Sequence, residues 1–356
     1  MVLDQRIKSF VALANFLKQF SANAAKENEN ALNDLFYDNL EQLIKTVHIY
    51  NPWFTEENVR NALGAIAQTL NEEELVEWAS KYIHQLSANK APKQVAVIMA
   101  GNIPMVGFHD MLSVLLSGNI FIGKLSSDDK FLMPYLSKIL IATEPEFAGL
   151  IEFTEGQLKD MDAVIATGSN NSARYFEYYF GKYPHIIRKN RNSVAVLTGT
   201  ETTEQLRLLG NDVFQYFGLG CRNVSKLYVP KGYVFDMFYQ SIFDFNNVVN
   251  NNKYANNYDY NRTVYLMANH PSLLDNNFLL LKEDTGFSSP IGVLFFEYYD
   301  DVKTLNTELE KAKEQIQCIV SGSSDINNSI PFGKAQCPAL TDYADGVDTM
   351  KFLVEL

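Results

Sequence analysis

Gln94-Val95-Ala96-Val97-Ile98-Met99-Ala100-Gly101-Asn102-Ile103-Pro104 is the stretch on which the fold turns. Its first six residues are a nearly continuous apolar run rich in β-branched side chains, the pattern of a strand covered on both faces in a parallel sheet. Gly101 to Pro104 ends the run, and residues 105–117 then carry apolar side chains at helical spacing, with Gly118 placed to close the helix. Strand, loop and helix recur downstream. Residues 120–125 read as a second strand, and Ser126 or Ser127 as the cap of a helix over about 128–142. Asp128 and Asp129 fall in its first turn, where the helix dipole favours them. Strands at 150–153 and 162–166 follow, then the turn Thr167-Gly168-Ser169 and a helix through Phe180. Strands near 185–188 and 193–197 complete the series. Alternation of this kind predicts an open, mostly parallel sheet with helices on both faces.

Upstream, residues 1–86 read as helical throughout, with Ile7, Phe10, Val11, Leu13, Ala14, Leu17 and Phe20 at helical spacing and further amphipathic segments at 31–48, 56–70 and 72–86. No catalytic constellation lies there. Downstream, a second α/β domain begins near Glu201. A helix over about 205–217 runs into Gly218-Leu219-Gly220-Cys221, and Lys226-Leu227-Tyr228-Val229 reads as the strand beyond. Cys221 therefore sits on a hinge whose glycines allow a substrate to come close. The alternative is a buried thiol acting as a small hydrophobe. The Asn/Tyr-rich stretch 246–261 is aromatic enough to be ordered loop and helix. Strands near 278–281, 291–296 and 318–320, a helix near 300–315 and a closing loop and strand over 331–353 finish the chain.

The 356 residues allow two domains, and 47% hydrophobic with 20% charged residues describes an ordinary globular protein. A formal charge of −12 argues against nucleic acid as the main partner, since phosphate binding needs a basic face. Cys221, Cys318 and Cys337 form no CxxC pair, so neither a disulfide framework nor a metal site is expected. With no signal pattern and no apolar run fit for a bilayer, a reduced, cytoplasmic setting without membrane insertion is the expectation.

Four short pieces fall in one order: Gly101-Asn102-Ile103-Pro104, then Gly118-Asn119 with Gly123-Lys124-Leu125-Ser126, then Thr167-Gly168-Ser169, then Gly218-Leu219-Gly220-Cys221. Singly, each is an ordinary turn or cap. Together they resemble the aldehyde dehydrogenase superfamily, and within it the LuxC-type fatty acyl-CoA reductases. The resemblance implies an α/β protein of the aldehyde dehydrogenase type, with two α/β lobes of mostly parallel sheet and the active site in the cleft between them. It divides the chain into a helical N-terminal segment, 1–90, packed on the cofactor lobe; a Rossmann-like NADP(H)-binding lobe, 91–200; a catalytic lobe, 201–330; and a closing tail, 331–356. Cys221 matches the nucleophile and Asn102 the side-chain donor of the oxyanion hole. Lys124 and Ser126 match positions at the adenosine ribose, and Gly168 and Ser169 the turn that meets the pyrophosphate.

Departures from the family pattern sharpen the expectation. Where aldehyde-oxidising members carry a water-activating glutamate, this chain reads Ile186-Ile187-Arg188-Lys189-Asn190-Arg191-Asn192-Ser193, without a carboxylate. A thioester on Cys221 then lacks a base for hydrolysis, which favours a thiol as acyl partner. Ser127 stands where a glutamate would repel a 2′-phosphate, so NADP(H) is expected over NAD(H). The second ribose glutamate is not evident in Gly286-Phe287-Ser288-Ser289-Pro290. The expected reaction is reduction of an acyl-CoA to the aldehyde, with partner proteins supplying or accepting acyl groups. A cysteine acyltransferase or thioesterase on a degenerate form of the fold is the alternative. His109 and Cys337 have no assigned role, and the oligomeric state is open.

Overall fold

The structure, a computed structural model, describes residues 1–22, 24–27, 29–87, 91–268, 270 and 272–356. The chain forms two compact units, Met1–Lys189 with Ala339–Leu356, and Asn190–Pro338. The boundary expected at residue 90 falls among residues 88–90, outside the described residues. Among the described residues no helix is long and apolar enough to cross a membrane.

In the first unit, β1 (Gln94–Ile98), β2 (Ile120–Lys124), β3 (Ile151–Thr154), β4 (Ala163–Thr167) and β5 (His185–Arg188) form a sheet in the order β3-β2-β1-β4-β5. Every pairing is parallel. The apolar run read in the sequence is the central strand β1, with Val95, Ala96 and Val97 buried. The strand order reverses between β1 and β4, and such a switch point opens a crevice beyond the carboxyl ends of the strands.

The N-terminal helix Leu3–Leu17 belongs to this unit's core. Its Phe10 ring meets Phe108 and Phe147 edge-on at centroid distances of 6.5 and 5.9 Å, and Arg6 donates to the Leu116 carbonyl at 2.9 Å. Phe10, Leu13, Phe16 and Leu17 are fully buried, each contributing roughly 1.5–3 kcal/mol. The C-terminal segment, expected to close as a strand, instead ends in the helix Thr349–Val354, because Asp348 caps it by accepting the Lys351 N–H at 2.8 Å and Met350, Leu353 and Val354 share one buried face. Arg188, at the end of β5, pairs bidentately with Asp110 at 2.7 and 2.8 Å and donates to Thr349 Oγ1 at 2.9 Å.

The second unit holds β6 (Asn192–Val196), β7 (Val224–Pro230), β8 (Leu274–Asp275), β9 (Leu280–Glu283), β10 (Val293–Tyr299), β11 (Ile316–Ser321) and β12 (Ser329–Ile330), in the order β12-β11-β6-β7-β10-β9-β8. Among the described residues only β8 runs antiparallel to its neighbour. Here the strand expected at 193–197 departs from expectation: it forms as β6, but lies between β11 and β7 rather than completing the first sheet. An apolar strand reads alike in either sheet, and its partners decide where it goes. The Asn/Tyr-rich stretch is ordered, as expected. Asn251 caps the helix Asn252–Met267, and the buried Tyr254 hydroxyl donates to the Phe278 carbonyl at 2.9 Å.

Candidate active site

The helix Thr203–Phe214 leads to Cys221. Thr202 and Gln205 form its capping box, and Leu206, Leu209 and Val213 bury its inner face. It ends at Phe214, short of the expected 217, because the next turn is left-handed: φ is 53° at Tyr216, 57° at Phe217 and 76° at Gly218. Only Gly218 takes that conformation without a Cβ penalty, which for other residues is roughly 1–2 kcal/mol. Surrounding contacts hold the strained turn. Asn223, 2% exposed, accepts the Gly220 N–H at 2.8 Å and donates to the Gln215 and Asp212 carbonyls at 2.8 and 3.1 Å. On the other side of Cys221, its carbonyl accepts from Ser193 Oγ at 3.0 Å, and Cys318 Sγ lies 3.0 Å from the same hydroxyl. Both flanking backbone groups are thus anchored while Cys221 itself is exposed.

A second tie fastens the loop carrying Cys337. The Asp212 carboxylate, 1% exposed, accepts the Gly333 and Ala335 N–H groups at 2.6 and 2.9 Å. Burial pushes its carboxyl up to about 6, against the pull of the two amides and of Arg222. Arg222 donates its Nε–H to the Ala335 carbonyl. Cys337 is exposed, and its thiol adds to burial in pushing the Tyr216 hydroxyl up to about 12.

In the first unit, Gly101-Asn102 follows β1, Lys124 to Ser127 ends β2 and Thr167-Gly168-Ser169 ends β4. Ile98 pairs with both Lys124 and Ala166, so these three segments share the carboxyl edge of the sheet at its switch point. Gly101 is packed so closely that an added Cβ would lie 2.5 Å from Ser126 Oγ. Asn102 and Ser127 are exposed, and Lys124 donates to the Glu155 carbonyl. Ser169 caps the helix Asn170–Phe180 by accepting the Ser172 N–H at 3.2 Å. A helix N-terminus, a lysine and three strand ends on one edge suit a phosphate-bearing nucleotide.

The helix expected over 128–142 starts only at Leu132, and neither Ser126 nor Ser127 caps it. Ser126 Oγ instead accepts the Asp128 N–H at 3.2 Å within a local turn, the competing use of a serine side chain. Asp129 consequently turns inward. His109 packs among Trp78 and Tyr343 and donates Nε2–H to the Leu340 carbonyl at 2.9 Å, burial lowering its pKa. That is a structural post.

The structure gathers Asn102, Lys124, Ser126, Ser127, Gly168 and Ser169 on one edge of the first unit and sets Cys221 on an anchored turn of the second. Sequence reasoning passed over Asn223, Asp212 and Asn51, and read Asp129 as a first-turn helix residue, although the helix starts only at Leu132. Asp212 left one signal, a carboxylate on the apolar face shared by Leu209 and Val213. Asn223 left none beyond its nearness to Cys221.

Two parallel-stranded α/β units of this kind define the aldehyde dehydrogenase-type fold, and solved structures bear this out. Aldehyde dehydrogenase 21 from Physcomitrella patens, in complex with the reaction product succinate, is 13% identical with a TM-score of 0.66, covering 100% of this chain and 84% of that one. An aldehyde dehydrogenase from Bacillus cereus in an NAD+ complex is 12% identical with a TM-score of 0.62, covering 91% and 72%. An E. coli NADP dependent enzyme is 11% identical with a TM-score of 0.62, covering 92% and 75%. No curated protein matches the chain. Residues 2–233 match the family described as acyl-CoA reductase (LuxC), and the chain belongs to that family of oxidoreductases.

Proposed function

We propose that this protein reduces a fatty acyl-CoA to the aldehyde with NADPH, through a thioester on Cys221. The observation that carries the proposal is the exposed Cys221 thiol on a turn whose neighbouring backbone groups are held by Asn223 and Ser193, in a chain of the LuxC family.

The Cys221 thiolate attacks the acyl carbonyl, forming a carbon–sulfur bond and moving an electron pair to oxygen. The Asn102 side chain and the Cys221 backbone N–H are the proposed donors to that oxyanion, a role in which one lost donor costs about 10²–10³ in rate. Collapse expels the CoA thiolate. Lys124, Ser126, Ser127, Gly168 and Ser169 would hold NADPH, which when bound would supply the hydride that reduces the thioester carbon. The same donors hold the second oxyanion, and its collapse frees the aldehyde and returns Cys221 as thiolate. In this reading the first unit binds the cofactor and the second presents the nucleophile. The absence of a carboxylate from 186–193 supports transfer to a thiol over hydrolysis. Ser127 beside Lys124 supports NADPH, since no carboxylate there repels a 2′-phosphate. A reducing, cytoplasmic setting and partners exchanging acyl groups belong to the same proposal.

The test is NADPH oxidation against acyl-CoAs of graded length. Stoichiometric aldehyde and CoA, with a preference for longer chains, is the expected result. Release of free acid and CoA without NADPH consumption would replace the reductase with a thioesterase.

A further inference from the structure

Met105 is buried, 3% exposed, and holds φ at 58°, a conformation a non-glycine residue keeps only when its surroundings impose it. The imposing group is Asp129. Its Oδ2 accepts the Met105 N–H at 2.8 Å across 24 residues of chain, from a side chain itself only 6% exposed. Burial pushes the Asp129 carboxyl up to about 6, with the Met105 and Leu132 amides opposing the shift. A buried carboxylate is costly to keep, and here it is spent on one backbone amide of the loop that begins at Gly101.

A second tether comes from the N-terminal segment. Asn51, 3% exposed, directs Nδ2 to the Gly101 carbonyl at 3.4 Å and the Asp128 carbonyl at 3.3 Å, while Oδ1 accepts the Trp53 N–H at 3.1 Å. The third element is contact: a Cβ on Gly101 would meet Ser126 Oγ at 2.5 Å and Asp128 Cβ at 2.9 Å. The loop bearing Asn102 is thus pinned to the turn after β2 before Asn102, by Asn51, and after it, by Asp129.

We infer that Asp129 and Asn51 are positioning residues of the reaction, clamping the Gly101–Met105 loop onto the 126–129 turn so that the Asn102 amide is aimed at the oxyanion. The inference rests on the proposed role of Asn102. It adds a coupling: the turn assigned to the cofactor ribose and the loop assigned to the oxyanion form one rigid piece, so a change in one is felt by the other.

The experiment is a double-substitution cycle read as the single-turnover rate of Cys221 acylation at saturating acyl-CoA, without NADPH. Asp129→Ala is expected to slow acylation about 10- to 10²-fold, the scale set by a misaimed catalytic group. Asp129→Asn, which keeps one oxygen for the Met105 N–H, recovers most of the rate, and Asn51→Ala loses several-fold. In an Asn102→Ala background each substitution has almost no further effect, because its target is gone. Additive losses in that background, or a lower melting temperature with an unchanged acylation rate, would overturn the positioning role and leave Asn102 standing. Asn102→Ala acylating at the wild-type rate would remove Asn102 itself, and the inference with it.

Discussion

Asn223 accepts the backbone N–H of Gly220 at 2.8 Å and returns its own amide hydrogens to carbonyls of the helix end, Gln215 at 2.8 Å and Asp212 at 3.1 Å. One buried carboxamide therefore joins the last helical turn, the left-handed bend and the residue before Cys221.

Replacing Asn223 with Ala strands these groups. Each buried unsatisfied polar group costs about 1–3 kcal/mol, so a clear loss of unfolding midpoint is expected. Asn223→Asp keeps the acceptor for Gly220 and loses the donors, so it should rescue little. Acylation of Cys221 in both variants should fall along with stability. Differential scanning calorimetry beside an acylation assay checks the pair.

Asp212 makes stability depend on pH in a defined direction. Its folded-state pKa, about 6, lies above the ordinary carboxylate value of 3.8, so the stability it contributes is fully present below pH 3.8 and is lost as pH rises through 6. Across pH 4 to 6 the wild type should lose stability relative to Asp212→Asn, by at most about 3 kcal/mol. Denaturation midpoints of the two proteins at half-unit pH steps measure the difference. A constant offset would contradict the assignment.

Lys226 is fully buried in β7, donating to the Thr285 carbonyl at 2.9 Å and pairing with Glu297 at 2.5 Å, with the Tyr228 and Phe287 rings 4.8 and 5.1 Å away. Removing Glu297 alone leaves an uncompensated buried cation, a loss on the order of 3 kcal/mol. Lys226→Met with Glu297→Leu should be less destabilising than Glu297→Leu alone. Urea midpoints of the three proteins decide it.

Arg188 and Asp110 make the same point in the first unit. Asp110→Leu should cost about 3–5 kcal/mol and loosen the C-terminal helix, since Arg188 also holds Thr349. Faster hydrogen exchange over residues 349–354 is the expected readout.

The central strand of the first sheet was legible because burial on both faces leaves a continuous apolar run, as at Val95-Ala96-Val97. What could not be read was partnership. β6 has the same pattern and belongs to the other sheet, a choice made by Val224 and Ile319 far along the chain. The turn at 126–131 looked like a helix start because serine followed by two aspartates caps helices as readily as it forms the local turn found here. The tail read as a strand until Asp348 proved to be a cap. Motif order singled out Cys221 and Asn102 as candidates, whereas Asn51, Asp129, Asp212 and Asn223 bind backbone groups distant in sequence or concealed in a bend, and a side chain that binds backbone leaves no partner residue to notice.

The most direct test of the account is the intact mass of the protein after mixing with an acyl-CoA in the absence of reductant. The account predicts one acyl adduct, mapped to Cys221, discharged on adding NADPH with release of aldehyde, and absent from Cys221→Ala. An adduct on Cys318 or Cys337, or one that forms equally well in Cys221→Ala, would contradict it.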